Sequence, residues 1–298
     1  MPALWALSAL AGALLQTLRN VTQRGLTARI GTIGATQVRF LFGLPFAVLF
    51  LWLAARITGQ AVPGLTLSAL GFTATGALAQ IGATAVMLLV MKSNGFAIST
   101  AWLKGEPVIV ALIAWPLLGD PLTPAMMLAI AVAVAGVLIL SLRPGTRGAD
   151  LAELGPALLG LLSGALFGLS AIGFRGGINA LESGDFLIRA LTILVLSLVI
   201  QTLTLMLWML LFDRPALIGS LRAWRPSIGA GLLGASASAC WFTAFSLAPA
   251  AHVRTVALTE MVFALLISRY WLRQSVTPRQ LCGMAVLMAG VALLLWRA

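Results

Sequence analysis

The chain has 298 residues, of which 60% are hydrophobic and 9% are charged, and its mean hydropathy is +1.04. Soluble domains carry about a quarter charged residues, so this composition excludes a water-soluble globular domain and indicates an integral membrane protein. The net charge of +11 comes almost entirely from arginines, which stand singly at the ends of apolar runs, where they can anchor to lipid phosphates. Basic patches with interleaved aromatic residues are missing from the sequence, so we expect no nucleic-acid partner.

The apolar runs predict ten membrane-spanning helices and therefore an all-α membrane protein. A span needs about 20 apolar residues, because backbone polar groups must be satisfied within the segment. In chain order, the predicted helices cover residues 4–21, 36–54, 67–91, 96–118, 124–142, 155–178, 186–212, 226–247, 250–272 and 278–296. Short turns with glycine, proline and charged residues separate them. The N-terminus lacks a basic stretch before the first run, so we do not expect a cleaved signal peptide.

Residues 101–124 return near the C-terminus as residues 255–278. Aligned without gaps, Glu106 falls on Glu260, Pro124 on Pro278 and Gly136 on Gly290. Glutamate, proline and glycine in a fixed register indicate an internal duplication rather than a shared apolar composition. The longest polar interval lies at the middle of the chain, which predicts a first five-helix repeat over residues 1–146 and a second over 147–298. Because five is odd, the two repeats have inverted orientations, as in many secondary transporters.

Among the ionisable residues of the predicted spans, we single out Lys104, Glu106, Arg254 and Glu260 as the intramembrane set. A buried charge costs several kcal/mol, so such residues form pairs or line a water-filled cavity. The duplication predicts that both glutamates face a shared interior, where a carboxylate removed from water can take up and release a proton. We expect Lys104 and Arg254 to hold the anionic end of a substrate or to pair with the glutamates. Structural ion pairs that fix helix packing explain the same residues, and both alternatives stay open.

Other residues inside the spans are weaker candidates. Gln80, Trp102 and Trp241 are expected to line the same substrate pocket, with ordinary packing as the alternative. We also note polar residues in the first helix (Gln16, Thr17, Arg19 and Asn20), one arginine pair matched between the halves (Arg39 and Arg189) and a glycine stripe in the sixth helix (Gly160, Gly164 and Gly168). Cys240 and Cys282 are interpreted as packing residues, and His252 as an interfacial histidine. The sequence holds no metal-ligand set, no phosphate-binding glycine loop and no nucleophile–histidine arrangement, so it predicts neither a cofactor nor an enzyme.

These features resemble the EamA family of the drug/metabolite transporter superfamily. The resemblance rests on the ten-helix duplication, on glutamates in the fourth and ninth helices, on the turn Leu118-Gly-Asp-Pro-Leu-Thr-Pro and on the run Phe245-Ser-Leu-Ala-Pro-Ala-Ala-His-Val. It implies a secondary transporter in the bacterial inner membrane, often a proton- or gradient-linked exporter of amino acids or other small metabolites, with alternating access around a central cavity. The family's usual Leu-Gly-Glu-Arg-Leu turn becomes Leu272-Arg-Gln-Ser-Val in the second copy.

The competing interpretation is a non-transporting membrane scaffold or subunit whose buried charges are only structural. Two predictions of the membrane orientation disagree. The family resemblance implies that both termini lie in the cytoplasm, whereas the distribution of arginine and lysine over the loops favours termini outside. The expected partners are a small-molecule substrate, the lipid bilayer and protons. Substrate identity, transport direction and oligomeric state do not follow from the sequence.

Overall fold

The computed structural model describes residues 2–106, 123–141, 154–248, 253 and 256–297, and within these ranges the chain is helical and contains no strand. Five helical stretches are long and apolar enough to cross a membrane, namely Leu4–Thr58, Leu67–Ser93, Gly155–Asn179, Phe186–Phe212 and Trp224–Leu247. Two shorter apolar helices cover Pro124–Leu140 and Pro278–Leu293. The predicted class, an all-α protein that crosses the membrane several times, is therefore confirmed.

We number the helices in chain order. They are α1 Pro2–Leu41, α2 Leu44–Thr58, α3 Leu67–Ser93, α4 Phe96–Leu103, α5 Pro124–Ser141, α6 Gly155–Asn179, α7 Phe186–Phe212, α8 Arg214–Arg222, α9 Trp224–Leu247, α10 Glu260–Leu266 and α11 Pro278–Arg297. A 3₁₀ turn, Ala257–Thr259, precedes α10, and a π-helical turn, Ile267–Trp271, follows it. Every one of the ten predicted spans overlaps at least one of these helices.

Helix α1 consists of two arms that fold back at Gly31. This residue has φ +71° and ψ 174°, a conformation that glycine adopts without steric cost. Gln23 Nε2 donates a hydrogen bond to the carbonyl of Ala35 at 2.8 Å, whereas residues twelve apart in a straight helix are separated by about 18 Å. The prediction that the first helix ends at residue 21 is therefore wrong: the helix continues to the residue before Gly31, and a single glycine makes the turn.

Helix α8 lies where the sequence predicted only a turn between two spans. The Asp213 carboxylate accepts a hydrogen bond from the Ala216 amide at 3.1 Å, and Pro215 occupies the first turn; both are typical of a helix N-terminus. Arginines stand at both ends of the helix, and the Arg225 guanidinium lies 5.3 Å from the Trp224 ring centroid. Such arginine and tryptophan anchors are typical of a helix at the membrane–water boundary.

The described helices form two compact units, each built from two stretches of chain. The first unit contains Met1–Leu88 and Leu169–Glu260, and the second contains Leu89–Gly168 and Met261–Ala298. In the first unit, α1 packs mainly against α9, and α7 packs against α2 and α9. Each unit thus takes segments from both predicted repeats. The predicted boundary between the repeats, near residue 146, lies outside the described residues and stays a prediction.

In the second unit, α5 and α11 make a reciprocal contact. A Cβ on Gly136 would lie 2.6 Å from the Leu287 Cα, and a Cβ on Gly290 would lie 2.7 Å from the Ala133 Cα, so only glycine permits this backbone approach. The alignment that places Glu106 on Glu260 also places Gly136 on Gly290 and Ala133 on Leu287. Each helix therefore supplies the glycine that the other helix packs against, as in a local two-fold contact. This reciprocity supports the duplication for these two helices.

Candidate functional site

The interior of the first unit holds a cluster of polar side chains that we call the arginine–glutamate core. It consists of side chains from both arms of α1 and from α3, α9 and α10: Gln16, Arg19, Asn20, Arg39, Thr84, Trp241 and Glu260. The return of the chain at Gly31 brings the second arm of α1, with Arg39, back to the level of Arg19. The two α1 arms therefore contribute both of the arginines in this core.

Arg19 is completely buried. Its Nε and Nη2 atoms donate to the Asn20 Oδ1 atom at 3.2 and 2.6 Å, while Nη1 has no hydrogen-bond partner among the described residues. Glu260 lies close enough to act on the Arg19 charge. An unpaired N–H on a buried charged group is costly, so this side chain retains an unused donor in the interior of the unit.

Arg39 is also buried, with only 2% of its surface exposed, and its Nη1 atom donates to Thr84 Oγ1 at 2.8 Å. The aliphatic parts of both arginines pass the same residue of α9. A Cβ on Gly234 would lie 3.3 Å from Arg39 Cγ and 3.4 Å from Arg19 Cδ. Gly234 thus leaves the space in which the two arginines lie beside each other, close enough for their charges to interact.

Glu260 and Trp241, both predicted as site residues, are connected through Gln16. Glu260 is 3% exposed, and its Oε1 atom accepts a hydrogen bond from Gln16 Nε2 at 3.0 Å. The Gln16 Oε1 atom accepts from the Trp241 indole Nε1 at 3.2 Å. The indole is in turn packed close to Gly12, where a Cβ would lie 3.2 Å from the ring. The amide of Gln16 therefore positions both predicted residues at the first arm of α1.

Gln80, the third predicted residue in this unit, lies on α3 one turn before Thr84. Residues four apart share a helix face, so Gln80 continues the polar face that contacts Arg39. Its Oε1 atom accepts a hydrogen bond from Gln201 Nε2 on α7 at 2.8 Å. Gln37 of α1 reaches the same helix, donating to the Thr202 carbonyl at 3.3 Å. A layer of side-chain amides thus extends the arginine–glutamate core toward α7.

The second unit contains Trp102, Lys104 and Glu106, and of these Trp102 and Glu106 pack along the glycine stripe of α6. A Cβ on Gly160 would overlap Trp102, one on Gly164 would overlap the Leu103 carbonyl, and one on Gly168 would overlap the Glu106 carboxylate. Glu106 is half-buried. The glycines at four-residue spacing thus allow α4 and the following turn to lie directly on the α6 backbone. The structure assigns Trp102 a packing contact with Gly160, and a role for Trp102 in a pocket stays a prediction.

Backbone irregularities precede both glutamates. Helix α4 ends at Leu103, and the amides of Lys104 and Gly105 bond to carbonyls three residues earlier at 2.9 and 3.0 Å. At the aligned position in the second copy, the 3₁₀ turn Ala257–Thr259 comes directly before Glu260. The prediction of uninterrupted helices over residues 96–118 and 250–272 is therefore corrected. Interrupted helices expose backbone polar groups, and membrane transporters place such interruptions at their binding sites.

Some predicted site residues lie outside the described structure, and some residues of the core were not predicted. Arg254 and His252 lie outside the described residues, and the predicted pairing of Lys104 and Arg254 with the glutamates stays a prediction. Arg19 and Arg39 were not among the predicted site residues. Arg19 was noted only as a polar residue of the first predicted helix, which stopped at residue 21, and Arg39 only as a residue near the start of the second, which began at residue 36. A helical arm that continues to Gly31 places Arg19 well inside a helix, and a polar residue at nearly every position from 16 to 24 was the available signal.

Comparison with known proteins agrees with this architecture. The sequence model of the EamA-like transporter family matches residues 154–296. One solved crystal structure is 15% identical in sequence and has a TM-score of 0.63, with alignment over 97% of this chain and 94% of that chain, which indicates a shared fold. None of the curated proteins compared with the chain matches it. The matched segment covers the second half of the chain almost completely and is similar to the EamA-like transporter family, as the sequence resemblance predicted.

Proposed function

We propose that this chain is a secondary active transporter, an exporter or exchanger of small metabolites such as amino acids, in the bacterial inner membrane. The observation that carries the proposal is the arginine–glutamate core, in which Glu260 and Arg19 are both buried, and Arg19 lies within an apolar helix long enough to cross a membrane. Ionisable residues within membrane helices are expensive and commonly mark substrate or ion pathways. The family match supports the same class of activity.

The mechanism that we propose is alternating access between two inverted five-helix repeats. The reciprocal glycine contact of α5 and α11 supports this duplication, and so do the interruptions that precede Glu106 and Glu260 at aligned positions. Binding or release of a proton at either carboxylate changes the charge of the cavity. Such a change shifts the equilibrium between inward-open and outward-open states, because the two states solvate the charge differently.

The alternative, a scaffold with structural buried charges, receives support from the internal hydrogen bonds of Arg19 with Asn20 and of Arg39 with Thr84. A scaffold has no need, however, for an unpaired donor on a buried arginine. The two interpretations differ in one measurable property: only the transporter exchanges a solute across the membrane.

The test is counterflow in liposomes that contain the purified protein and a mixed radiolabelled pool of amino acids and small metabolites. We expect exchange by the wild type and its loss in the Glu106→Gln/Glu260→Gln double variant. Glu182→Gln serves as the matched control, because Glu182 is exposed and lies between α6 and α7. Exchange that survives in the double variant would retain transport and remove the glutamates from the site. An absence of exchange by folded wild-type protein would favour the scaffold.

A further inference from the structure

We propose that the arginine–glutamate core recognises its substrate by a single carboxylate, which Arg19 and Arg39 bind together. This inference rests on the proposed transport function and names the chemical class of the substrate. The residues proposed to bind the anionic group are two arginines of α1, instead of Lys104 and Arg254, the pair predicted from the sequence.

The charge of the core is the first argument. As far as the structure describes it, the core holds two guanidinium groups and one carboxylate, and all three are at least 97% buried. Arginine remains protonated in proteins, and a buried charge without a counter-charge is strongly unfavourable. With Glu260 ionised, the core therefore carries one uncompensated positive charge, which a substrate with one negative group would neutralise.

The hydrogen-bond inventory is the second argument. Arg19 directs Nε and Nη2 to one acceptor, Asn20 Oδ1, and leaves Nη1 without a partner in the described structure. A guanidinium binds a carboxylate through two parallel N–H donors when both are available. A substrate carboxylate that accepts from Nη1 of Arg19 would satisfy the buried donor, and the neighbouring Arg39 supplies the second positive charge.

The same inventory distinguishes between substrate classes. A cationic substrate would raise the uncompensated charge of the core, and a neutral amide would leave it unchanged. A phosphate dianion would replace an excess positive charge with an excess negative one. Of these four groups, only the monoanionic carboxylate brings the described core to neutrality, so it is the group that we expect the core to select.

The test compares carboxylic acids with their own amides. Two radiolabelled pools are offered in counterflow, one of hydroxy acids, which are monoanions, and one of the corresponding carboxamides, and inorganic phosphate is added as a third probe. In parallel, the melting temperature of the detergent-solubilised protein is measured with each probe, because a ligand that binds only the folded state stabilises it. The variants are Arg19→Gln, Arg19→Lys and Arg39→Gln. Arg56→Gln is the control, since Arg56 is exposed in the last turn of α2.

We expect the acid pool to exchange and to raise the melting temperature, and the amide pool to do neither. Each Arg→Gln variant should bind the acids about 10- to 100-fold more weakly, the loss typical of one charge-assisted hydrogen bond. Arg19→Lys should bind with intermediate affinity, because lysine keeps the charge and loses the fork of donors. Arg56→Gln should behave as the wild type does. If Arg19→Gln does not fold, the Lys variant and the wild-type comparison of acids with amides decide the question.

Several results would overturn the proposal: equal responses to acids and amides, a response to phosphate alone, or an unchanged affinity for acids in both Arg→Gln variants. The two proposals can fail separately. Wild-type protein that exchanges no pool would remove the transport function, and the melting temperatures would still decide the anion site. Stabilisation by acids that is lost in Arg19→Gln would support the site, and an absence of stabilisation in the wild type would remove it.

Discussion

Glu106 and Glu260 occupy equivalent positions of a duplicated sequence, yet their surroundings differ. Glu260 is almost fully buried, bonds to Gln16 and lies within the field of Arg19. Glu106 is half-buried and lies on the glycines of α6. Each glutamate nevertheless packs against the first helix of the opposite predicted repeat, α1 for Glu260 and α6 for Glu106. The two aligned segments therefore place their carboxylates alike, while the helices that contact the carboxylates differ.

This difference indicates that the surroundings of the two glutamates have different roles. Glu260 accepts a hydrogen bond from the polar Gln16 of α1, whereas the α6 residues packed against Glu106 include Gly164 and Gly168, which permit close backbone approach. Polar partners are needed where a charge is buried, and glycines are needed where helices touch. We expect the largest difference in the free energy of unfolding between substitutions at the two glutamates. Substitutions at the α6 glycines should affect only the surroundings of Glu106.

The largest difference should follow from removal of each carboxylate. Glu260→Ala leaves both core arginines buried without their counter-charge, which should lower the free energy of unfolding by about 3–5 kcal/mol. Glu106→Ala removes a half-buried group and should cost about 1 kcal/mol. Chemical unfolding in detergent, followed by tryptophan fluorescence, measures both. Equal losses would show that the two carboxylates are buried alike and would remove the contrast.

Steric substitution on α6 tests the other side of the comparison. Gly164→Leu places a side chain where the Leu103 carbonyl lies, so we expect a loss of about 1–3 kcal/mol from forced separation of the helices. Gly71→Leu is the matched control, because a Cβ on Gly71 of α3 meets nothing within 4 Å. A stable Gly164→Leu protein would mean that α4 and α6 are not in the close contact described here. The same unfolding assay applies to both variants.

The sequence predicted the helical class, most helix boundaries and the family match over residues 154–296, because these depend on apolar run length and on spaced glycine, proline and glutamate residues. The inverted five-helix duplication stays a prediction. The sequence did not predict the arginine–glutamate core. Whether Arg19 lies inside a helix or at its end depends on where the chain turns, and Gly31 gives no stronger turn signal than the neighbouring Gly25 or Gly34. The conformation of Gly31 follows from packing of the two α1 arms, and single-residue propensity does not record such long-range contacts.

The position of the turn within α1 gives a smaller test of the same core. Gly31 has φ +71°, and a Cβ there would meet open space, so the cost of Gly31→Ala is conformational alone. We expect a loss of about 1–2 kcal/mol. Gly25→Ala lies within a helical arm, also faces open space and should instead be neutral or stabilising by up to about 1 kcal/mol. Loss of stability in both variants would argue against a turn confined to Gly31.

The smallest expected effect concerns the turn that follows α10, where one of the differences between the two aligned segments is a glycine replaced by an arginine. The first copy has Gly119, as in the usual family turn, and the aligned residue of the second copy is Arg273, which has φ +51°. A side chain in the left-handed region costs about 1–2 kcal/mol, and glycine removes this cost at the expense of greater freedom in the unfolded chain. Arg273→Gly should therefore stabilise the protein by up to about 1 kcal/mol in the unfolding assay. Arg279→Gly, in the first turn of α11, is the control and should destabilise. A loss of stability in Arg273→Gly would mean that the contacts of the arginine stabilise the protein by more than its backbone strain costs. The arginine side chain would then have a role that the glycine at the aligned position of the first copy cannot have.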